Sequence, residues 1–234
     1  PPPAIEAAER RVVQLVELPA APGNDPPTLP TGRKVFVTDD RTGLSQALTA
    51  ELNTLGINTV LVSVDILRYK KELPPAAGLV VMLNPKSPDM DADLGHAFEL
   101  TQALAPGLLE SAKLPGGAFF ATLTRLDGAF GFGGGAIGDP LQGGLAGLAK
   151  TAAAEWPEVR VHALDVSPQW EDARAAARAV VAQLMADGPV EVGLHAAHHR
   201  PARQIHPLAG GERAAAGAGD ERVDLCAYRT EERA

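Results

Sequence analysis

Residues Thr38 to Ser45 read T-D-D-R-T-G-L-S, directly after the apolar run KVFVT and before a helix-like pattern. A dinucleotide-binding fold turns its chain around a pyrophosphate at this kind of junction, and a Thr-Gly-x-x-x-Gly-x-Gly turn lets backbone N–H groups approach the phosphates. Thr38 and Gly43 keep their places in that pattern, but Asp39 stands at the first glycine and Ser45 at the last. A carboxylate about 5 Å from a phosphate, at an effective dielectric near 20, costs on the order of 3 kcal/mol, roughly a hundredfold in affinity. Asp40 adds a second such charge. Asp65, at the end of the next strand-like run, is placed to accept from a ribose hydroxyl. The competing use of all these residues is structural: Asp40 or Thr42 caps a helix and Asp65 closes a turn. That use is the one expected, so no cofactor-binding residue is assigned.

Three other groupings could do chemistry. Gly133 to Gly138 satisfies G-x-G-x-x-G before a helix, yet it starts too far beyond the preceding strand-like run, which ends at Leu123, for a tight phosphate turn. A closely packed loop is expected there. Asp89, Asp91 and Asp93 offer hard oxygen ligands to a divalent cation but lack the glycine and distal glutamate of a calcium loop. They also precede a helix, where negative charge complements the dipole. His195, His198 and His199 fall in a polar turn with no cysteine or carboxylate at ligand spacing, so no metal site is assigned. Trp156 and Pro157 end a helix and cover an edge of the core.

The elements that would position these residues alternate regularly. RVVQLVEL (11–18) reads as a strand, followed by a Pro/Gly/Asn/Asp linker over 19–32. A strand at 34–38 leads into apolar positions 44, 47, 48, 52 and 55 at helical spacing, with Gly56 as the left-handed stop, and then a strand at 59–64. Further strands are expected at 78–83, 117–123, 159–164 and 190–194, with helices at 91–104, 141–155 and 171–186. Pro106 should end or kink the helix before it. This order predicts an α/β fold: a Rossmann-like, mostly parallel sheet with helices on both faces. The expected organisation is an amino-terminal strand and linker (1–32), the Rossmann-like unit (33–208) and a mobile tail (209–234) with at most a short strand near Val223 to Tyr228.

Composition narrows the partners. The 234 residues are 45% hydrophobic and 21% charged, enough for one large core. A net charge of -8, with the basic residues scattered, argues against nucleic acid and against an anionic membrane surface as partners. Cys226 is the sole cysteine, which excludes a disulfide framework and suits a reducing, cytoplasmic setting. No apolar run is long enough to cross a membrane. Pro1 in place of a starting methionine leads to the expectation of a piece cut from a longer protein or of a processed product.

The stretch DGAFGFGGGAIGDPLQGGLAGLAKTAAAEWPEVRVHALDVSP (127–168), with RVVQLVEL, TDDRTGL and VEVGL around it, resembles the ketoreductase region of type I polyketide synthases and polyunsaturated fatty acid synthases. More narrowly it is similar to the structural subdomain of that region, over roughly Arg11 to Pro207. The resemblance implies a truncated short-chain-dehydrogenase fold that buttresses a separate catalytic half. That half would bind NADPH and reduce β-ketoacyl groups on an acyl carrier protein. It also implies the catalytic half, the carrier protein and neighbouring synthase domains as partners. Reduction in this family needs a tyrosine to protonate the alkoxide and a lysine four positions on to lower its pKa. If Lys150 marks the same helix turn as in active relatives, these positions fall on Gly138 and Gln142. No Tyr-x-x-x-Lys occurs, since Tyr69 is followed by Leu73 and Tyr228 by Glu232. Thr124 and Arg125 stand where the carbonyl-polarising serine belongs. The expectation is therefore no catalytic residue, no cofactor and no metal in this chain. A divergent short-chain NAD(P)-dependent oxidoreductase using Asp65 and a stand-alone interaction module remain alternatives.

Overall fold

The computed structural model describes residues 11–18, 28–70, 72–134, 136–186, 188–196 and 201–207. His198, His199, Cys226, Tyr228, most of the linker and the 209–234 tail lie outside these residues.

Apolar runs form every strand but the last, and turn residues end them. In chain order they are β1 (Arg11–Glu17), β2 (Lys34–Thr38), β3 (Thr59–Val62), β4 (Ala76–Met82), β5 (Phe119–Thr124), β6 (Arg160–Val166), β7 (Glu191–Leu194) and β8 (Pro201–Pro207). They make one eight-stranded sheet in the order β1-β8-β7-β6-β5-β4-β2-β3. From β3 to β7 every pairing is parallel, while β8 joins β7 and β1 antiparallel. The expected mostly parallel Rossmann-like sheet is thus present. Strand β8 is an addition that the sequence reading did not specify, and β1 belongs to the same sheet as the rest.

Among the described residues four α-helices cover the two faces: α1 (Leu44–Thr54), α2 (Met90–Ala112), α3 (Gly143–Glu155) and α4 (Ala173–Leu184). On one face Leu44, Leu48 and Leu52 of α1 and Val180 and Leu184 of α4 pack on Val35, Val37, Val80 and Leu164. On the other, Leu100, Leu104 and Leu108 of α2 and Leu145 and Ala149 of α3 pack on Phe36, Leu79, Val81 and Phe120. A strand covered on both faces must be apolar throughout, and all seven residues of β4 are buried.

Helix α1 stops as its sequence requires. Gly56 takes a φ of 77°, its N–H donates to Asn53 O and the Ile57 N–H donates to Leu52 O, a Schellman closure fastened by Leu52 and Ile57 in the same core. Of the two effects expected of Pro106, ending the helix does not occur: α2 passes the expected end at Leu104 and continues to Ala112. Proline deprives the carbonyl four residues back of its donor. Here that residue is Gln102, and both Gln102 and Pro106 are exposed, so the freed carbonyl is open to solvent while Leu104 and Leu108 hold the helix on the sheet.

Gly78 marks the tightest point of the central sheet. A Cβ added there would lie 2.7 Å from Phe119 Cζ and 2.9 Å from Val35 Cγ2. Both neighbours are fully buried and have nowhere to retreat. Gly78→Ala should destabilise the chain by about 1–3 kcal/mol in urea unfolding, with native-like circular dichroism below the transition.

Candidate functional site

Two polar turns at the carboxyl ends of the parallel strands hold most of the residues singled out above. The first connects β2 to α1. Thr38 is buried and its Oγ1 donates to Met82 O (2.5 Å) and accepts from Met82 N (2.8 Å), tying β2 to β4. The Asp40 carboxylate, 1% exposed, accepts from Thr42 N (3.2 Å), Ser45 N (3.2 Å), Ser45 Oγ (2.8 Å) and the Thr42 hydroxyl. The N-cap position itself is Gly43, at a φ of 94° with no side chain to offer. Asp40 reaches in from outside the helix and takes a first-turn N–H in its stead. Asp39 accepts from Arg41 N (2.9 Å) and Gln46 Nε2 (2.9 Å). The Arg41 N–H, with help from Ser45 and Gln46 and against partial burial, holds its pKa below the ordinary 3.8. Both aspartates are therefore structural members of the turn.

The second turn follows β5. Asp165, on β6, is fully buried. Its carboxylate accepts from Thr124 Oγ1 (2.7 Å), Leu126 N (2.8 Å), Asp127 N (3.2 Å), Gly128 N (2.7 Å) and Phe130 N (2.8 Å). Asp127 takes alternate donors of the same loop: Ala129 N (2.8 Å), Gly131 N (2.8 Å) and Gly133 N (2.9 Å). The glycines and Phe130 supply the left-handed φ that turns these N–H groups inward. Burial pushes the Asp127 carboxyl up, but the N–H groups of Gly131, Ala129 and Gly133 outweigh it and leave the pKa below 3.8. Neither aspartate was singled out from the sequence. The available signal was a charge inside the apolar run VHALDV, which is costly unless every lone pair finds a donor.

The glycine pattern at 133–138 sits at the end of this loop. The Gly133 N–H is used by Asp127, so it does not form a phosphate turn. His195 packs against the loop: a Cβ on Gly128 would lie 2.8 Å from His195 Nε2.

Thr124, Arg125, Gly138 and Gln142, the positions that the resemblance set against the reducing residues, are brought together. Thr124 Oγ1 is committed to Asp165, Arg125 N donates to Gln142 Oε1 (3.2 Å), and a Cβ on Gly138 would lie 3.9 Å from Gln142 Nε2. Gln142 is 1% exposed. None of Thr124, Gly138 and Gln142 carries an acid able to protonate an alkoxide or a cation able to hold a ribose. Burial pulls the Arg125 pKa down while the Asp40 and Asp165 charges pull it up. It stays cationic and sits between the two turns. Lys150 is used elsewhere, 3.1 Å from Glu191 Oε1, and Tyr69 is 79% exposed.

Between the carboxyl ends of β2, β3 and β4 lies a crevice of about 520 Å³. Strand order reverses there, since β2 neighbours both β3 and β4, and open α/β sheets bind ligands at such a switch point. Asp39, Asp65, Asp89 and Asp93 line it against only Arg41 and Arg68. Asp65 accepts from Ser63 Oγ (2.5 Å) and lies 3.9 Å from Arg68. Asp89 caps α2 through Ala92 N (3.1 Å). Among the described residues no three His, Cys, Asp or Glu side chains are grouped to hold a metal ion. Trp156 packs on Phe120 with ring centroids 5.8 Å apart, at the core edge as the sequence implies.

Asp165→Ala leaves buried donors without an acceptor and should lower stability by about 3–5 kcal/mol in urea unfolding. Asp127 has a depressed native pKa, so its contribution is full above the unfolded value and is lost as pH falls through the folded one. Stability should drop below about pH 4, and Asp127→Asn should flatten that drop while lowering stability at pH 7.

No family model matches the chain, and no curated protein matches it. Solved structures do. An A-type ketoreductase from a modular polyketide synthase superposes with a TM-score of 0.56 at 19% identity, over 88% of this chain and 44% of the other. A C2-type ketoreductase from a modular polyketide synthase gives 0.57 at 19% identity, over 88% and 45%. The multidomain structure of a keto acid-selecting NRPS module containing adenylation, ketoreductase and pseudo Asub units gives 0.55 at 14% identity, over 87% and 19%. The chain thus has the Rossmann-like fold of polyketide-synthase ketoreductases, and it spans less than half the length of those it matches.

Proposed function

We propose that this chain is the non-catalytic structural half of a ketoreductase in a multidomain polyketide or polyunsaturated fatty acid synthase. It supports a separate half that reduces carrier-protein-bound β-ketoacyl groups with NADPH, and it takes no NADPH itself. One observation carries this reading: the anion position at the start of α1 is filled by the chain's own Asp40 carboxylate. A pyrophosphate arriving there would meet two aspartates and a first-turn N–H already engaged. The acid-lined crevice adds to the repulsion. Gly138 and Gln142, drawn together beside Arg125, support the same conclusion, because the reduction has no proton donor. The partners are the catalytic half, the acyl carrier protein and adjacent synthase domains.

Calorimetric titration of the chain with NADPH should show no saturable binding up to about 1 mM, and micromolar affinity would overturn the reading. Mixed with the catalytic half of a modular ketoreductase, the chain should raise that half's thermal midpoint. An oxidoreductase that uses Asp65 on the ribose would instead turn over a ketone alone and lose that turnover on Asp65→Ala.

A further inference from the structure

The crevice at the carboxyl ends of β2, β3 and β4 carries the same sign of charge as the phosphates that its topology favours. That sign suits a cation. Two of its four aspartates are answered from within: the Arg41 charge acts on Asp39, and Arg68 lies 3.9 Å from Asp65. Arg41 and Arg68 are the only arginine or lysine side chains lining the space. His96, one turn beyond Asp93 on α2, forms no ion pair among the described residues. Asp89 and Asp93 are thus left without a cation.

Their oxygens are open as well. One oxygen of Asp89 accepts from Ala92 N (3.1 Å), and its other accepts no hydrogen bond among the described residues. Asp93 accepts none with either oxygen. On the β2–α1 turn, Asp39 likewise places all its hydrogen bonds on one oxygen and leaves the second open. Asp89 and Asp93 stand four residues apart at the start of α2, a spacing at which like charges repel. The helix dipole favours acidity at this end, and exposed Asp91 serves it equally. The dipole does not require two carboxylates on the crevice side.

A bare metal ion does not fit these groups. Among the described residues no three His, Cys, Asp or Glu side chains are gathered around one point, so the carboxylates are spread over the walls of the crevice. Its volume of about 520 Å³ is that of a small-molecule site. Leu61, Val64 and Leu83 line the same space, and Leu61 is 36% exposed there. The matching ligand carries separated positive charges on an apolar stem.

We propose that this crevice binds an aliphatic amine with two or more ammonium groups. One ammonium donates to the open oxygens of Asp89 and Asp93, another to that of Asp39, and the methylenes between them lie on Leu61, Val64 and Leu83. The site stands apart from the ketoreductase role, and neither depends on the other.

Calorimetric titration of the full chain with spermidine in about 50 mM salt should give saturable one-to-one binding with a Kd below about 100 μM. Butylamine, with a single ammonium, should bind at least about tenfold more weakly. Neither Asp91 nor Asp93 makes a side-chain hydrogen bond among the described residues, so an asparagine at either position should leave circular dichroism unchanged. Asp93→Asn should weaken spermidine at least about tenfold. Asp91→Asn removes the same charge from the same helix end but outside the crevice, and it should change the affinity less than about twofold. No saturable binding of spermidine up to about 1 mM overturns the proposal. So does equal binding of butylamine and spermidine, a comparison that needs no variant. Equal losses on Asp91→Asn and Asp93→Asn would mark a diffuse counterion effect and overturn it too.

Discussion

The buried Asp165 carboxylate is the contact on which the carboxyl edge of this sheet depends. A charge with no solvent exposure is tolerated only when its lone pairs are filled, and here four backbone N–H groups and one hydroxyl fill them. Hydrogen bonds to a charged acceptor contribute about 1.5–3 kcal/mol each, so the loop gains more by wrapping the carboxylate than by hydrating its own amides. Thr124 and Asp165 are direct partners across β5 and β6, and their side-chain bond fixes that end of the ladder. With the loop drawn inward, Gly128 must lie against His195 and Ser167, which leaves no room for a side chain.

The same logic operates at α1. A dehydrogenase-type scaffold presents free N–H groups at a helix start so that an external anion can complete them. In this chain the anion is internal: Asp40 at the α1 turn, Asp127 and Asp165 at the glycine-rich loop. Arg125 lies between the two systems, its charge stabilised by Asp40 and Asp165 against the cost of its burial. A donor already satisfied by a tethered carboxylate has little to gain from a phosphate. Both loops thereby act as supports for the sheet.

Much of this architecture was legible from the residues. The β2-α1-β3 unit followed from a buried-type strand, a 3.6-residue apolar period and Gly56, because each is a local signal that tertiary packing reinforces. The reading of Asp40 as a cap was available for the same reason. Pro106 misled because the rule for proline assumes that the freed carbonyl has no other partner, and solvent exposure at Gln102 removes that assumption. Strand β8 was not legible since PARQIHP, bracketed by prolines, carries no apolar alternation; its place comes from pairing with β1, almost the whole chain away. Asp127 and Asp165 were hidden because the donors that reach a carboxylate are defined by the folded loop. Only the oddity of a charge in VHALDV pointed to it.

The sheet order sharpens the difference between keeping a fold and keeping its ligand. Counting from β2, the parallel strands run second, first, third, fourth, fifth, sixth, so a crevice must open where the chain reverses direction. Topology alone would make that crevice the binding site. Its charge does not suit a nucleotide's phosphates: four aspartates against two arginines give a net negative wall, and Arg68 already lies beside Asp65. A polyphosphate entering it would lose hydration and gain repulsion, both in a partly enclosed space where screening is weak. The crevice persists because the strands that frame it are fixed by the core beneath. Packing alone maintains such a cavity whether or not anything binds there, so its presence follows from the fold and its charge is a separate property of the residues that line it.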